Sequence, residues 1–187
     1  MKRVMLIAVL LIWPMVASAD AFSDAAGRYR VLPSSRIHFS VAQMGGAAVA
    51  GEFKRFKGSF QLDGRDVSRS KVDFTLEPAS VSAVDPRVEE FIRSEPVFNA
   101  AKYPVVTFRS TSVKRTGDNT ASIDGRLTAK GVTRPTRFSV AFGGRSGGTL
   151  KFHVTGKMSR ALFGMDVGAP VYSNVVVLDM MLVGARQ

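Results

Sequence analysis

In Ile37-His38-Phe39-Ser40-Val41-Ala42 every second side chain is a large apolar group, and those between are polar or small. Successive side chains on a strand point to opposite faces, so this period of two reads as a strand with one face in a greasy interior and the other in water. The same alternation recurs in Val72, Phe74 and Leu76, in Val106 and Phe108, and in Leu150, Phe152 and Val154. Shorter strand-like runs fall at Val49–Phe53, Gly58–Asp63, Ile123–Ala129 and Arg137–Phe142. The last run, Val175–Val183, is apolar on both faces apart from Asp179. Its outer face is therefore expected to be covered, and Asp179 to be buried against an arginine.

Turn residues punctuate these runs at Asp63-Gly64-Arg65-Asp66, at Thr116-Gly117-Asp118-Asn119 and in the glycine-rich segment 143–148, which reads as a hairpin connection. About eight or nine strands at this spacing make an all-β chain, either an antiparallel barrel or a sandwich. Gly51, Gly125 and Gly156 sit inside strand patterns, where bends or bulges are expected. One short helix is expected near 86–94. Pro86 suits its first turn, Glu89 and Glu90 its N-terminal half, and Val88, Phe91 and Ile92 form an apolar stripe.

Residues 1–19 have the features of a signal peptide: Lys2 and Arg3, an apolar run from Val4 to Val16, and Ala17-Ser18-Ala19. The apolar run is shorter than the roughly 20 residues a membrane span needs. Residues 20–187 then form a single exported domain whose net charge falls from +11 to +9 on loss of Lys2 and Arg3. With no cysteine, thiolate metal sites, disulfides and thiol nucleophiles are excluded. His38 and His153 both fall at the polar phase of a strand, and no catalytic or metal-binding constellation emerges. The basic residues are scattered and the aromatics sit at the core phase, which argues against nucleic acid and for attraction to anionic membrane surfaces. Thirteen phenylalanines suit either a filled core or an apolar ligand tunnel, and composition does not decide between them.

The block from Phe91-Ile92-Arg93-Ser94 through Val97-Phe98-Asn99 to Lys102-Tyr103-Pro104 has the pattern LRSxxFFDxxKYP in outline, and is the most specific of several blocks by which the chain, from Tyr29 to Arg186, resembles the YceI family. Segment 125–135, Gly-Arg-Leu-Thr-Ala-Lys-Gly-Val-Thr-Arg-Pro, resembles GxLTxxGVTxP, and Arg160-Ala161-Leu162-Phe163-Gly164-Met165 resembles RxxFGM. Histidines of the family's first block are replaced here by Ser34 and Gln43.

The resemblance implies a lipocalin-like antiparallel barrel in the bacterial periplasm. It further implies a non-enzymatic protein that binds or transports a polyprenyl lipid or isoprenoid quinone, with no catalytic cofactor or metal and with transient membrane contact. Expected tunnel residues are Phe39, Val41, Phe53, Phe74, Leu76, Phe108, Leu127, Phe152 and Met158, with Phe91 and Phe98 lining or closing one mouth. Arg93, Lys102 and Arg160 match charged family positions and are the candidates for a head group. A filled barrel acting through its surface in stress response or respiration is the competing reading, and a lipid hydrolase a weaker one. A homodimer is compatible with barrels that share a lid, although no self-complementary patch is visible.

Overall fold

The computed structural model describes residues 25–187, so the signal peptide expected at 1–19 lies outside the described residues. The elements are β1 (Gly27–Val31), β2 (Arg36–Gln43), β3 (Val49–Phe53), β4 (Phe56–Leu62), β5 (Lys71–Leu76), β6 (Val81–Ala83), α1 (Pro86–Arg93), β7 (Val106–Arg115), β8 (Thr120–Ala129), β9 (Val132–Ser146), β10 (Thr149–Ser159) and β11 (Tyr172–Arg186). Around the ring the order is β1-β4-β5-β7-β8-β9-β10-β11, and β1 pairs back onto β11, which closes an eight-stranded antiparallel barrel. Strands β2, β3 and β6 continue β1, β4 and β5 past a break and pair in the same sense, with β2 on β11. The eleven strands are thus eight staves, three of them broken. Closure excludes the sandwich and removes every long free edge.

The breaks are sealed by serines. A bulge leaves a backbone N–H without a ladder partner, and a short hydroxyl side chain can fold back to supply one. Between β1 and β2, Ser35 Oγ accepts from Val183 N–H at 2.9 Å on β11. Ser80 Oγ likewise accepts from Arg55 N–H at 2.9 Å and donates to Glu77 O at 2.7 Å, where β3 passes into β4 beside β6. Ser110 Oγ, at a register shift in β7, accepts from Val72 N–H at 2.8 Å.

Inward-facing glycines have a different task from the bends the sequence suggests. A Cβ on Gly156 would lie 2.5 Å from the Phe138 ring, and one on Gly125 would lie 2.4 Å from the Phe108 ring and 2.5 Å from Arg109 O. Gly51 with Phe39, Gly58 with Phe74 and Gly184 with Phe60 repeat the arrangement. Four of the rings lie over a glycine of the adjacent strand, and Phe60 on β4 reaches past β1 to Gly184 on β11, so each lies along the wall. Of the three glycines read as bends, only Gly125 sits opposite a register irregularity.

Helix α1 starts at Pro86 as expected and ends at Arg93, one residue before the expected end. Asp85 caps it, its carboxylate accepting from Arg87 N–H at 2.9 Å. Glu89 does more than complement the helix dipole. Its carboxylate accepts from Ala83 N–H at 3.0 Å and from Arg93 Nη2 at 2.8 Å, while Arg93 also donates to Ala79 O and Val81 O. This network fixes α1 across β6 at one end of the barrel. The Ala83 N–H, followed by Arg93, holds the Glu89 carboxyl below its usual range.

Two expectations about β11 need correction. Nothing among the described residues covers its outer face, where Val175, Val177 and Met181 are exposed. Asp179 points outward with them and pairs with His153 Nε2 at 3.0 Å, not with an arginine. The physical reason is parity: Leu178, Met180 and Leu182 alternate with Asp179 and carry the inward face. The segment 143–148 is mostly strand, since β9 runs to Ser146 and the turn proper is Gly147-Gly148.

Replacing Ser35 by Ala leaves the Val183 N–H without a partner and is expected to cost about 1–3 kcal/mol in urea denaturation. Gly125→Ala, which has backbone and ring in its way, is expected to cost a similar amount by overpacking. Gly148→Ala, with open space around it, is expected to be neutral within about 0.5 kcal/mol. For Glu89→Gln the depressed carboxyl sets the pH window. The stabilisation it loses is present above the ordinary value of 4.5, and the gap to wild type closes as pH falls below it, which thermal melts at a series of pH values would show.

Candidate functional site: an apolar cavity in the barrel

Because the inward rings lie along the wall, the lumen is not filled. It holds a cavity of about 690 Å³, within the range of roughly 300–1,000 Å³ usual for small-molecule sites. Inward positions of all eight staves line it, and its lining is apolar except for Asp63, Ser70, Asp85, Arg87, Arg160 and Tyr172. Rings pack against one another around the lumen: Phe108 meets Phe138 edge-on at 5.0 Å, and Phe60 meets Phe152 edge-on at 5.4 Å. The first joins β7 to β9 past β8 and the second joins β4 to β10 past β1 and β11, so the rings brace strands that are not themselves paired.

The two ends of the cavity differ. At the end of the β4–β5 and β7–β8 turns, Val67 packs against Val113, Ala121 and Ile123 beneath the lumen. At the α1 end the wall residues Phe91 and Val167 are 47% and 37% exposed, and Arg87 is also in solvent. This end is the mouth. The segment after α1 partly roofs it, and Phe98 meets Phe53 edge-on at 5.9 Å. Lys130, in a left-handed conformation at the β8–β9 turn, donates to Gly164 O at 2.8 Å and Pro96 O at 3.4 Å. A single ammonium thereby ties two opposing loops of the rim together.

Arg160 organises the third loop. It is 8% exposed and lines the cavity. Its guanidinium donates to Ser173 O and Tyr172 O at 2.8 and 2.9 Å, to Val167 O at 2.9 Å and to Met165 O. Burial pushes its pKa down from the usual arginine value, opposed by the charge of Asp166. Four carbonyl dipoles face the cation where a carboxylate would otherwise be needed.

All eleven residues expected in the tunnel — Phe39, Val41, Phe53, Phe74, Leu76, Phe91, Phe98, Phe108, Leu127, Phe152 and Met158 — lie on this cavity wall. The structure separates the three expected head-group cations. Arg160 is on the wall, but Arg93 is committed to the α1–β6 network and Lys102 lies outside the cavity over the Tyr103 ring at 5.5 Å. Ser34 and Gln43 are also outside the wall, with Gln43 opposite the wall residue Tyr172. His38 and His153 are on the outer surface. Among the described residues no group of three or more His, Cys, Asp or Glu side chains could hold a metal ion. Wall residues that sequence reading missed include Phe60, Phe138, Leu178 and Met180. The parity of β11 would have exposed the last two only once Asp179 was assigned to the outer face.

A closed antiparallel barrel around a roomy apolar cavity, with one short helix over its mouth, defines a lipocalin-like container. The YceI-like domain model matches residues 29–183, and the chain belongs to the YceI family. A UPF0312 protein of Ectopseudomonas mendocina is 32% identical over 182 residues, covering 95% of this chain and 93% of that protein. Among solved structures, Burkholderia cenocepacia BcnA superposes with a TM-score of 0.76 at 23% identity, over 82% of this chain and 98% of that one. A polyisoprenoid binding domain from Saccharophagus degradans, implicated in plant cell wall breakdown, has a TM-score of 0.65 at 16% identity, over 87% and 99% of the two chains.

Arg160→Met would strip a donor from four carbonyls at once and is expected to lower stability by at least about 2 kcal/mol. Arg160→Lys keeps the charge but offers three protons in place of a planar fork, and is expected to fall between wild type and Arg160→Met in thermal melts.

Proposed function

We propose that this protein is an exported, non-enzymatic carrier that encloses the chain of a long isoprenoid, a polyprenyl lipid or an isoprenoid quinone, in its barrel. The observation that carries this reading is the unfilled cavity, about 690 Å³ and walled almost entirely by aliphatic and aromatic side chains. A polyprenyl chain gains about 25 cal/mol for each Å² of apolar surface removed from water, so a dry lumen is a strong sink for it. The family assignment and the likeness to a polyisoprenoid binding domain support the same ligand class.

The chain enters tail first through the α1 end, because the opposite end is packed by Val67 and Val113. The head group then rests among the polar wall residues near the mouth, Asp85, Arg87, Arg160 and Tyr172. The two imidazoles of the chain lie outside the lumen, which favours binding over turnover. The N-terminal leader supports export to the periplasm, where the barrel moves its cargo by transient contact with a membrane.

Native mass spectrometry of residues 20–187, followed by organic extraction, tests the reading. A stoichiometric prenyl lipid or quinone is expected. A single apo mass, unchanged after incubation with polyprenyl lipids and quinones, overturns it in favour of a barrel that acts through its surface. Leu127→Arg, which puts a cation on the lumen wall, is expected to cut retention of the ligand by more than about tenfold, and circular dichroism checks that the barrel persists.

A further inference from the structure

We propose that the α1 end of the barrel is a docking face for an anionic lipid bilayer, into which the rim loops insert. The proposal rests on the cavity being the site of a lipid chain and adds the partner and the orientation. Ten large apolar side chains are exposed among the described residues, and seven of them belong to the loops and helix of this one end. Met44 is 71% exposed, Val84 102%, Leu162 55% and Val105 45%. They come from three separate connections, β2–β3, β6–β7 and β10–β11, so one sheet edge or one stray hairpin does not explain them. None of the ten lies in the turns at the opposite end.

The rim is continuous with the lumen. Phe91 and Val167 are at once exposed on the rim and part of the cavity wall. An apolar chain leaving the mouth therefore meets apolar side chains beside the Asp85–Arg87 pair. Such a patch is costly in water and marks a surface with a partner.

Charge selects the partner. Without its leader the chain carries a net charge of +9, and at this end Lys102, Lys130 and Arg134 have no ion-pair partner among the described residues, Lys130 and Arg134 donating to rim carbonyls instead. A second copy brought to the rim would face the same positive field, whereas an anionic bilayer is complementary to it. Apolar insertion and electrostatic attraction are the two signals that together hold a protein at a membrane surface.

Flotation of residues 20–187 with vesicles of phosphatidylglycerol and phosphatidylethanolamine, and with phosphatidylcholine vesicles as the uncharged control, tests this. The wild type is expected to float with the anionic vesicles and only weakly with the control. The triple variant Met44→Asp, Val84→Asp, Leu162→Asp changes exposed positions outside the cavity wall, and is expected to lose vesicle binding by more than about tenfold. Native mass spectrometry of the same variant is expected to show its lumen ligand retained. Residues 20–187 contain no tryptophan, so Leu162→Trp supplies a lone reporter whose emission should shift to the blue on anionic vesicles. Equal flotation of wild type and triple variant, or no flotation at all, overturns the proposal. So does a wild-type dimer in sedimentation that the triple variant dissolves without any vesicle binding. Loss of the carrier reading would show separately, as an empty lumen in the mass spectra of the wild type.

Discussion

The structure depends on where a phenyl ring can go inside a barrel of eight strands. A lumen of this size is normally filled by its own side chains, and rings pointing at the axis would have filled it. Here five inward phenylalanines lie over glycines, four of them on the neighbouring strand and Phe60 two strands from Gly184, at separations no Cβ would tolerate. Each ring keeps its contacts with the wall and yields the centre. The pairing of a large side chain with a missing one turns an aromatic-rich sequence into a hollow one. It also makes the cavity robust, since the rings pack edge to face with their neighbours and have little freedom to collapse inward.

The same frame accounts for the asymmetry of the ends. Three staves break and continue past the ring, and hydroxyls at Ser35 and Ser80 mend the ladder at those points. The continued strands β2, β3 and β6 rise at the α1 end, where the glutamate and arginine of α1 hold the helix against β6. Tight turns and a small apolar plug close the other end. Long loops, a helix and exposed apolar side chains are therefore collected at the end where the lumen is reached, while rigid pairing is left to the rest.

Much of the barrel was legible in the chain. Period-two alternation located most strands, and the wall residues followed from it, because in a closed barrel the inward phase of every strand meets the same lumen. Residues such as Phe39 and Phe152 needed only that rule. The misreadings occurred where alternation carries no information. Strand β11 is apolar on both faces, so its phase was invisible and Asp179 was placed inside. The glycines looked like bends because their aromatic partners lie on another strand. Short pieces such as β6 offer too few residues for a period. The commitment of Arg93 to backbone carbonyls, and the four-carbonyl cage around Arg160, depend on loop geometry that no local pattern encodes.

The closing seam of the barrel joins the first and last of the described strands. Tyr29 in the first stave is opposite Arg186 in the last, and Ser35 reaches across to Val183. No shorter piece of the chain can complete the hydrogen-bonded ring. A nascent chain can form hairpins one after another, yet β1 keeps an unpaired edge until β11 is available. Folding to the closed state therefore waits for β11. The hollow interior, and any capacity it has to hold cargo, arises in one late step.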